Sequence, residues 1–154
     1  MAFRTLNFAM RRMMSTSSVR SAEMSFTFAA PNGVHYNAAS VKQVDVPSFS
    51  GAFGILPNHV PSLAVLKPGV VTVYEDDGST KKFFVSSGSV TINVDSTVQI
   101  LAEEAHKIED LDAAAARKVL ADAQASLSSA SDDVARAEAQ IAVEVGEALV
   151  KAVE

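Results

Sequence analysis

Three histidines, His35, His59 and His106, and three carboxylate clusters, Glu75-Asp76-Asp77, Glu103-Glu104 and Asp132-Asp133, are the side chains on which catalysis or metal binding would have to rest. The histidines lie in three different contexts, and no pair of them has the His-x-x-x-His spacing that sets two imidazoles on one helix face around a metal. There is no cysteine, so disulfides, thiolate metal sites and cysteine nucleophiles are excluded. Neither a G-x-x-x-x-G-K-[ST] phosphate loop nor a G-x-S-x-G nucleophile elbow is present. The first carboxylate cluster falls at an expected hairpin tip and the last at an expected helix cap, where solvated turn chemistry accounts for them. Arg117, Lys118 and Arg136 have the charge to address phosphate, but ordinary pairing with Asp110, Asp122 and Glu138 accounts for them equally well. The expectation is a protein with no catalytic residues, no metal and no cofactor.

The most constrained backbone is Gly51-Ala52-Phe53-Gly54-Ile55-Leu56-Pro57-Asn58-His59-Val60-Pro61. Gly51 and Gly54 permit positive φ or close backbone approach. Pro57 and Pro61 fix φ and lack a donor, so neither suits the middle of a central strand. The pattern predicts a short edge strand and then a stiff, partly apolar surface loop. Recognition and shape maintenance are both open readings of such a loop. On the residues alone, His59 reads more readily as a turn histidine than as a contact.

Around it, residues 24 to about 101 repeat with a period of two. Phe26 and Phe28, Val44 and Val46, Val90, Ile92 and Val94, and Val98 and Ile100 can each face a core while their neighbours face water. Pro31-Asn32-Gly33, Pro68-Gly69, Asp76-Asp77-Gly78, Ser87-Gly88 and Asp95-Ser96 separate the runs, and Asp77-Gly78 is the strongest hairpin signal. Short strands at this spacing predict an antiparallel β-sandwich or flattened barrel. At ~1.5 to 3 kcal/mol per buried Val, Ile, Leu or Phe, its core offsets the cost of ordering, so it should fold alone.

After Glu103-Glu104 the period becomes helical. Asp110 or Asp112 caps a helix to about Ser129, with Ala113, Ala116, Leu120, Ala123 and Leu127 on one stripe. Ser128 to Asp133 break it and cap a second, whose stripe is Val134, Ala137, Ile141, Val145, Ala148 and Ala152. The short break predicts an antiparallel hairpin. Alanine at so many contacts permits close approach but buries little surface, so the hairpin should hold less tightly than the sandwich. The fold class is α+β by content, an N-terminal antiparallel β-sandwich over 23–104 followed by a C-terminal two-helix hairpin over 105–154.

Charge is unevenly placed. Arg4, Arg11, Arg12 and Arg20 precede every acidic residue, so without residues 1–22 the formal charge moves from −5 to −9, nine basic against eighteen acidic groups. A body this acidic argues against nucleic acid as a partner. The 48% hydrophobic and 20% charged composition fits a folded soluble protein. No apolar run reaches the ~18 to 20 residues that span a bilayer. In residues 1–22, Phe3, Leu6, Met10 and Met13 recur at helical spacing with the arginines mainly off that stripe, the acid-free amphipathic pattern of a mitochondrial targeting presequence. Arg11-Arg12 interrupts any secretory h-region. Cleavage is expected shortly after Arg20.

Val44-Asp45-Val46-Pro47, the block Gly51 to Pro61, Leu66-Lys67-Pro68-Gly69-Val70-Val71 and Lys82-Phe83-Phe84-Val85-Ser86-Ser87-Gly88 together resemble the central-stalk subunit family of rotary ATP synthases, called delta in mitochondria and epsilon in bacteria. The likeness covers nearly everything after residue 22. It implies a non-catalytic rotor subunit that couples rotation of the c-subunit ring to the gamma shaft. Implied partners are gamma, the c ring and the small mitochondrial epsilon subunit, on the matrix side of the inner membrane and peripheral to it. The resemblance assigns a ring-facing element to Ser48, Phe49, Ser50, Gly51, Ala52, Phe53, Asn58 and His59, and so turns His59 into a contact residue. Some bacterial relatives bind ATP through Leu-Asp-x-x-Arg-Ala; here Leu111-Asp112-Ala113-Ala114 is followed by Ala115. Arg117 comes two residues late, about 200° around the helix, which disfavours ATP sensing. The alternatives are a nucleotide-responsive regulatory subunit of the same complex, or an unrelated small-ligand-binding β-domain with the helices as an oligomerisation tail.

Overall fold

The computed structural model describes residues 23–154; the targeting segment read over residues 1–22 lies outside them. Ten strands, β1 Met24–Ala30, β2 Gly33–Val41, β3 Gln43–Ser48, β4 Gly51–Ile55, β5 Ser62–Leu66, β6 Gly69–Tyr74, β7 Thr80–Val85, β8 Gly88–Ile92, β9 Thr97–Ala102 and β10 Ala105–Lys107, precede two helices, α1 Ala113–Ser129 and α2 Asp133–Val153. One layer runs β4-β3-β6-β7-β10 and the other β5-β8-β9-β1-β2, continuous where Ser48 of β3 pairs with Leu66 of β5. All pairings are antiparallel except β1 with β9.

Alternation builds the core between the layers. Phe26, Phe28, Val44, Val46, Ile55 and Phe83 are buried there. Phe28 meets Phe83 edge-on at 5.3 Å between ring centroids, the geometry that aromatic quadrupoles prefer. Val94 departs from the expected alternation: it is exposed, because β8 stops at Ile92 and Asn93–Ser96 make a turn closed by Asn93 N–H donating to Thr97 O (2.9 Å). The Asp77-Gly78 hairpin is present, with Gly78 at φ +87° and Glu75 N–H donating to Ser79 O. Residues 105–107, which the sequence places with the helices, instead add β10 to the edge of β7, since Ala105, His106 and Lys107 find ladder partners in Val85, Phe84 and Phe83.

Carboxylates in this frame serve turns and caps. Glu75 accepts from Tyr36 Oη (2.8 Å), Ser79 Oγ (2.8 Å) and Lys81 Nζ (2.7 Å). Asp112 caps α1 by accepting from Ala114 N–H, and Asp132 caps α2 by accepting from Ala135 N–H. Arg117 pairs with none of the expected carboxylates; its guanidinium reaches Glu154 across the hairpin at 3.2 Å, because antiparallel helices bring the start of α1 to the end of α2.

The helix–helix contact is made of the smallest residues. Buried positions are Ala116 and Ala123 on α1, and Ala139 and Gly146 on α2. A Cβ on Gly146 would lie 3.1 Å from Leu120 Cα. This corrects the expected stripe on α2. Val134 and Ile141 are 69% and 62% exposed, since the face that approaches α1 holds Ala139 and Gly146, and Ile141 stands about 200° around the helix from Ala139.

Replacing Gly146→Val forces side-chain atoms into Leu120 and should cost about 1–3 kcal/mol of hairpin docking, the usual range for overpacking; hydrogen exchange should quicken across α1 and α2 while the sandwich amides keep their protection. Glu75, held at about 2 against an ordinary 4.5 by bonds from Lys81, then Ser79 and Tyr36, binds a proton less readily folded than unfolded. Its stabilisation is therefore complete above pH 4.5 and is lost as pH falls through about 2. Urea midpoints measured against pH should show Glu75→Gln weaker than the parent above pH 4.5, with the difference closing toward pH 2.

Candidate functional site

β4 is an edge strand with a turn at each end. It pairs with β3 alone, Ile55 against Val44 through Gly51 against Ser48. Its open edge has no ladder partner among the described residues. The eight residues assigned to the ring-facing element therefore occupy three places: the β3–β4 turn, the strand itself, and the loop that follows. At ~3.4 Å per residue the strand separates the two turns by about 14 Å.

At the first turn, Ser48 is 1% exposed. Its Oγ donates to Gly51 O (2.8 Å) and accepts from Ser50 N–H (3.2 Å), with Ser50 Oγ a further 2.8 Å partner. Ser48 is thus withdrawn from any outside contact, because the reversal needs its hydroxyl internally. Gly51 supplies φ +121°, a conformation that a side chain resists. Phe49 is held up by its own backbone, whose N–H donates to Val65 O (3.3 Å), and its ring is 70% exposed. Ser50, Gly51 and Ala52 are exposed beside it.

Along the strand, Gly54 faces Asp45. A Cβ there would stand 2.8 Å from Asp45 Oδ1 and 3.0 Å from Gln43 Nε2. The space holds a small polar cluster in which Gln43 Nε2 donates to Asp45 Oδ1 (2.6 Å) and Tyr74 Oη donates to Asp45 Oδ2 (3.1 Å). That bond and the Asp45 charge raise the Tyr74 phenol above its usual pKa. Phe53 packs against the core from its half-buried position.

In the second loop, His59 N–H donates to Leu56 O (3.1 Å), closing a turn over Pro57-Asn58. The His59 ring stacks on Phe53 at 6.0 Å and 30°. Its Nδ1 lies 2.8 Å from Val60 O; a carbonyl only accepts, so Nδ1 carries a hydrogen there. Asn58 sits at φ +61°. Its N–H donates to Ser96 Oγ (3.0 Å), and its Oδ1 accepts from the same hydroxyl (3.2 Å). Asn58 therefore uses its side chain to hold the loop.

Three features escaped the sequence reading. Phe49 and Ala52 share an open crevice of about 600 Å³ with Pro68 and with Ala148, Lys151 and Ala152 of α2, so the first turn and the hairpin are neighbours. Their separation in sequence, with two layers of strands between, concealed this. Ser96 had shown only as part of a turn dipeptide. The third feature is a row on the outer face of the second layer: Val65 pairs with Ser89, Ser89 with Leu101, Leu101 with Ala29, and Ala29 with Val34. Val34, Val65 and Leu101 of that row are each more than half exposed, as is Leu63 on the same face of β5. Ser89 of β8 lies between Val65 and Leu101, and Ala29 of β1 between Leu101 and Val34. The alternation had been read for its buried half only.

Nothing in this geometry is a reaction site. His35 is wedged between Phe28 and Phe83, each 4.9 Å away, with its imidazole pKa lowered by burial first and by His106 and Lys107 nearby. No group of three or more His, Asp or Glu residues is gathered to hold a metal among the described residues.

Comparison with known proteins agrees with this description. Residues 23–108 match the model for the ATP synthase delta/epsilon chain β-sandwich domain, and residues 111–152 match the C-terminal domain of the metazoan delta subunit of F1F0-ATP synthase. The chain belongs to the ATP synthase delta/epsilon family. A family member from Caenorhabditis elegans, mitochondrial ATP synthase subunit delta, is 51% identical over 84% of this chain and 79% of its own length. Its counterpart in Saccharomyces cerevisiae is 40% identical over 96% and 91%. Among solved structures, a chain of the Euglena gracilis mitochondrial ATP synthase OSCP/F1/c-ring assembly superposes with a TM-score of 0.79 at 26% identity, covering 86% of this chain and 82% of that one. The two curated relatives are delta subunits of a mitochondrial ATP synthase, and the solved chain belongs to an assembly of OSCP, F1 and the c ring.

Proposed function

We propose that this protein is a rotor subunit of the mitochondrial ATP synthase central stalk, working from the matrix side of the inner membrane, and that the β4 edge with its two turns is where it meets the c ring. The observation that carries this reading is that a costly backbone is already arranged, with its bonds made, in the chain alone. Gly51 at positive φ, the Ser48 turn, the Phe53–His59 stack and the Asn58 brace all exist in the chain alone. A surface ordered in advance loses little conformational entropy on docking, which is what a part transmitting torque requires. The groups offered outward are Phe49, Ser50, Gly51 and Ala52 at one end and the half-exposed His59 ring at the other. Ser48 and Asn58 shape the edge and Phe53 supports it from beneath.

The remaining surfaces suit the other partners. The outward row of Val34, Leu101 and Val65, with Leu63, offers a flat apolar face to the gamma shaft. The outer side of α2, with Val134 and Ile141 exposed, offers a helical stripe to gamma or to the small mitochondrial epsilon subunit. Torque then passes from the ring, through a stiff sandwich, into the shaft, and the chemistry of ATP formation takes place elsewhere in the complex.

Changing His59→Glu places a charge at the β4 edge without touching the core. In a rebuilt complex it should weaken ring attachment and lower proton-driven ATP synthesis severalfold, while the thermal midpoint of the subunit stays within a few degrees; undiminished coupling would count against this edge as the ring contact. On the other surface, Leu101→Asp should abolish co-purification with gamma yet leave the free chain folded, since Leu101 points away from the core. Full recovery of gamma with that variant would remove the apolar row from the interface.

A further inference from the structure

Of the hydrogen bonds made by residues 56–61, those that reach another element among the described residues both end on one atom, Ser96 Oγ, 38 positions away along the chain. The others are local: His59 N–H to Leu56 O, His59 Nδ1 to Val60 O, and Ser62 Oγ to Val60 O. Leu56 and Val60 are exposed and supply little packing. A loop with such neighbours would be expected to fray.

Ser96 is built to prevent that. It is 8% exposed and sits at φ +63°, itself a left-handed residue facing another, Asn58. Its N–H donates to Asn93 O (3.2 Å), and its carbonyl accepts from Ser25 N–H (3.2 Å) at the start of β1. On either side, Asp95 Oδ1 accepts from Thr97 N–H and Thr97 Oγ1, and Asn93 Nδ2 donates to Thr97 Oγ1. The two Thr97 bonds hold the Asp95 carboxyl below its usual range, so it keeps its charge and its acceptor role further into acid than a free aspartate does. The hydroxyl thus rises from a fixed platform and donates to Asn58 Oδ1 while accepting from Asn58 N–H.

We infer that Ser96 is the positioning residue of the loop after β4: through its paired bonds with Asn58 it sets the angle at which His59 is presented, and its functional consequence rests on the ring-docking reading above. A change in the β8–β9 turn would accordingly be felt at the far end of β4 without passing through the core.

The test uses the full chain with Ser96→Gly, which keeps the left-handed turn accessible and removes the CH2OH group that carries the bonding oxygen. Amide exchange at Asn58 and His59 should quicken roughly thirtyfold, the factor expected from losing about two ordinary hydrogen bonds. The His59 ring protons, shifted by stacking on Phe53, should move toward the values of free histidine, while exchange in β6 and β7 stays unchanged. Asn58→Gly loses the Oδ1 bond but keeps the N–H bond to Ser96 Oγ, so it should show both effects at smaller size, and Asn58→Asp, which keeps an oxygen acceptor, should behave as the parent. If Ser96→Gly does not fold, the Asn58 pair carries the test alone. Unchanged exchange and unchanged His59 shifts would overturn the inference. In the rebuilt complex the two ideas separate: a loosened loop with undiminished ring attachment leaves the Ser96 brace standing and removes the ring reading, whereas a loop that stays rigid removes the brace and leaves the ring reading intact.

Discussion

β3 carries partners on both edges at the same residues, Val44 with Ile55 and Val73, Asp45 with Gly54 and Thr72. An edge strand such as β4 has one ladder to hold it, so its stiffness is borrowed from the strand behind. Here that strand is fixed from the far side by β6 and capped at its end by Ser48, whose residue pairs with Leu66 while its hydroxyl closes the turn. Gly54 completes the arrangement, because without a Cβ there Asp45, Gln43 and Tyr74 bond to one another over the strand undisturbed, whereas a Cβ would move the Asp45 and Gln43 side-chain ends aside. The presentation of Phe49 and of His59, at opposite ends of β4, depends on this one doubly paired strand.

From that constraint follows a difference in stiffness within the chain. The sandwich is held by aromatic and branched side chains crossing between two layers. The hairpin is held by Ala116, Ala123, Ala139 and Gly146, which contribute close approach but little buried area. α2 meets the sandwich chiefly along β6 and at the crevice beside Phe49 and Pro68. A mechanical joint needs its rigid part where the load enters and can leave the rest to be steadied by partners. The exposed Val134 and Ile141 show where α2 has apolar surface to give.

Much of this was legible in the residues. Period-two alternation located the strands and their buried halves, Asp77-Gly78 fixed a hairpin, and Asp112 and Asp132 marked helix starts. The two glycines of the β4 block were read for positive φ or close approach, and each takes one: Gly51 the φ, Gly54 the approach. What stayed hidden is what periodicity does not encode. Which helical stripe faces which neighbour depended on Gly146, a residue that is a poor hydrophobe and an excellent contact. Ser48 spends its hydroxyl on its own turn, and Asn58 bonds through its N–H and Oδ1 to Ser96 across the fold. Ser96 gave no signal beyond its dipeptide, because its partner lies 38 residues away. The outward apolar row arises from registers across five strands. No single strand displays it.

Hydroxyl-radical footprinting of Phe49 and His59 in three states, the free chain, the complex stripped of its c ring and the whole complex, addresses the joint most directly. If a prearranged β4 edge bears on the ring, both rings are labelled in the first two states and shielded in the third, with the labelling of buried Phe26 low throughout. Equal labelling of Phe49 and His59 with and without the c ring would contradict it.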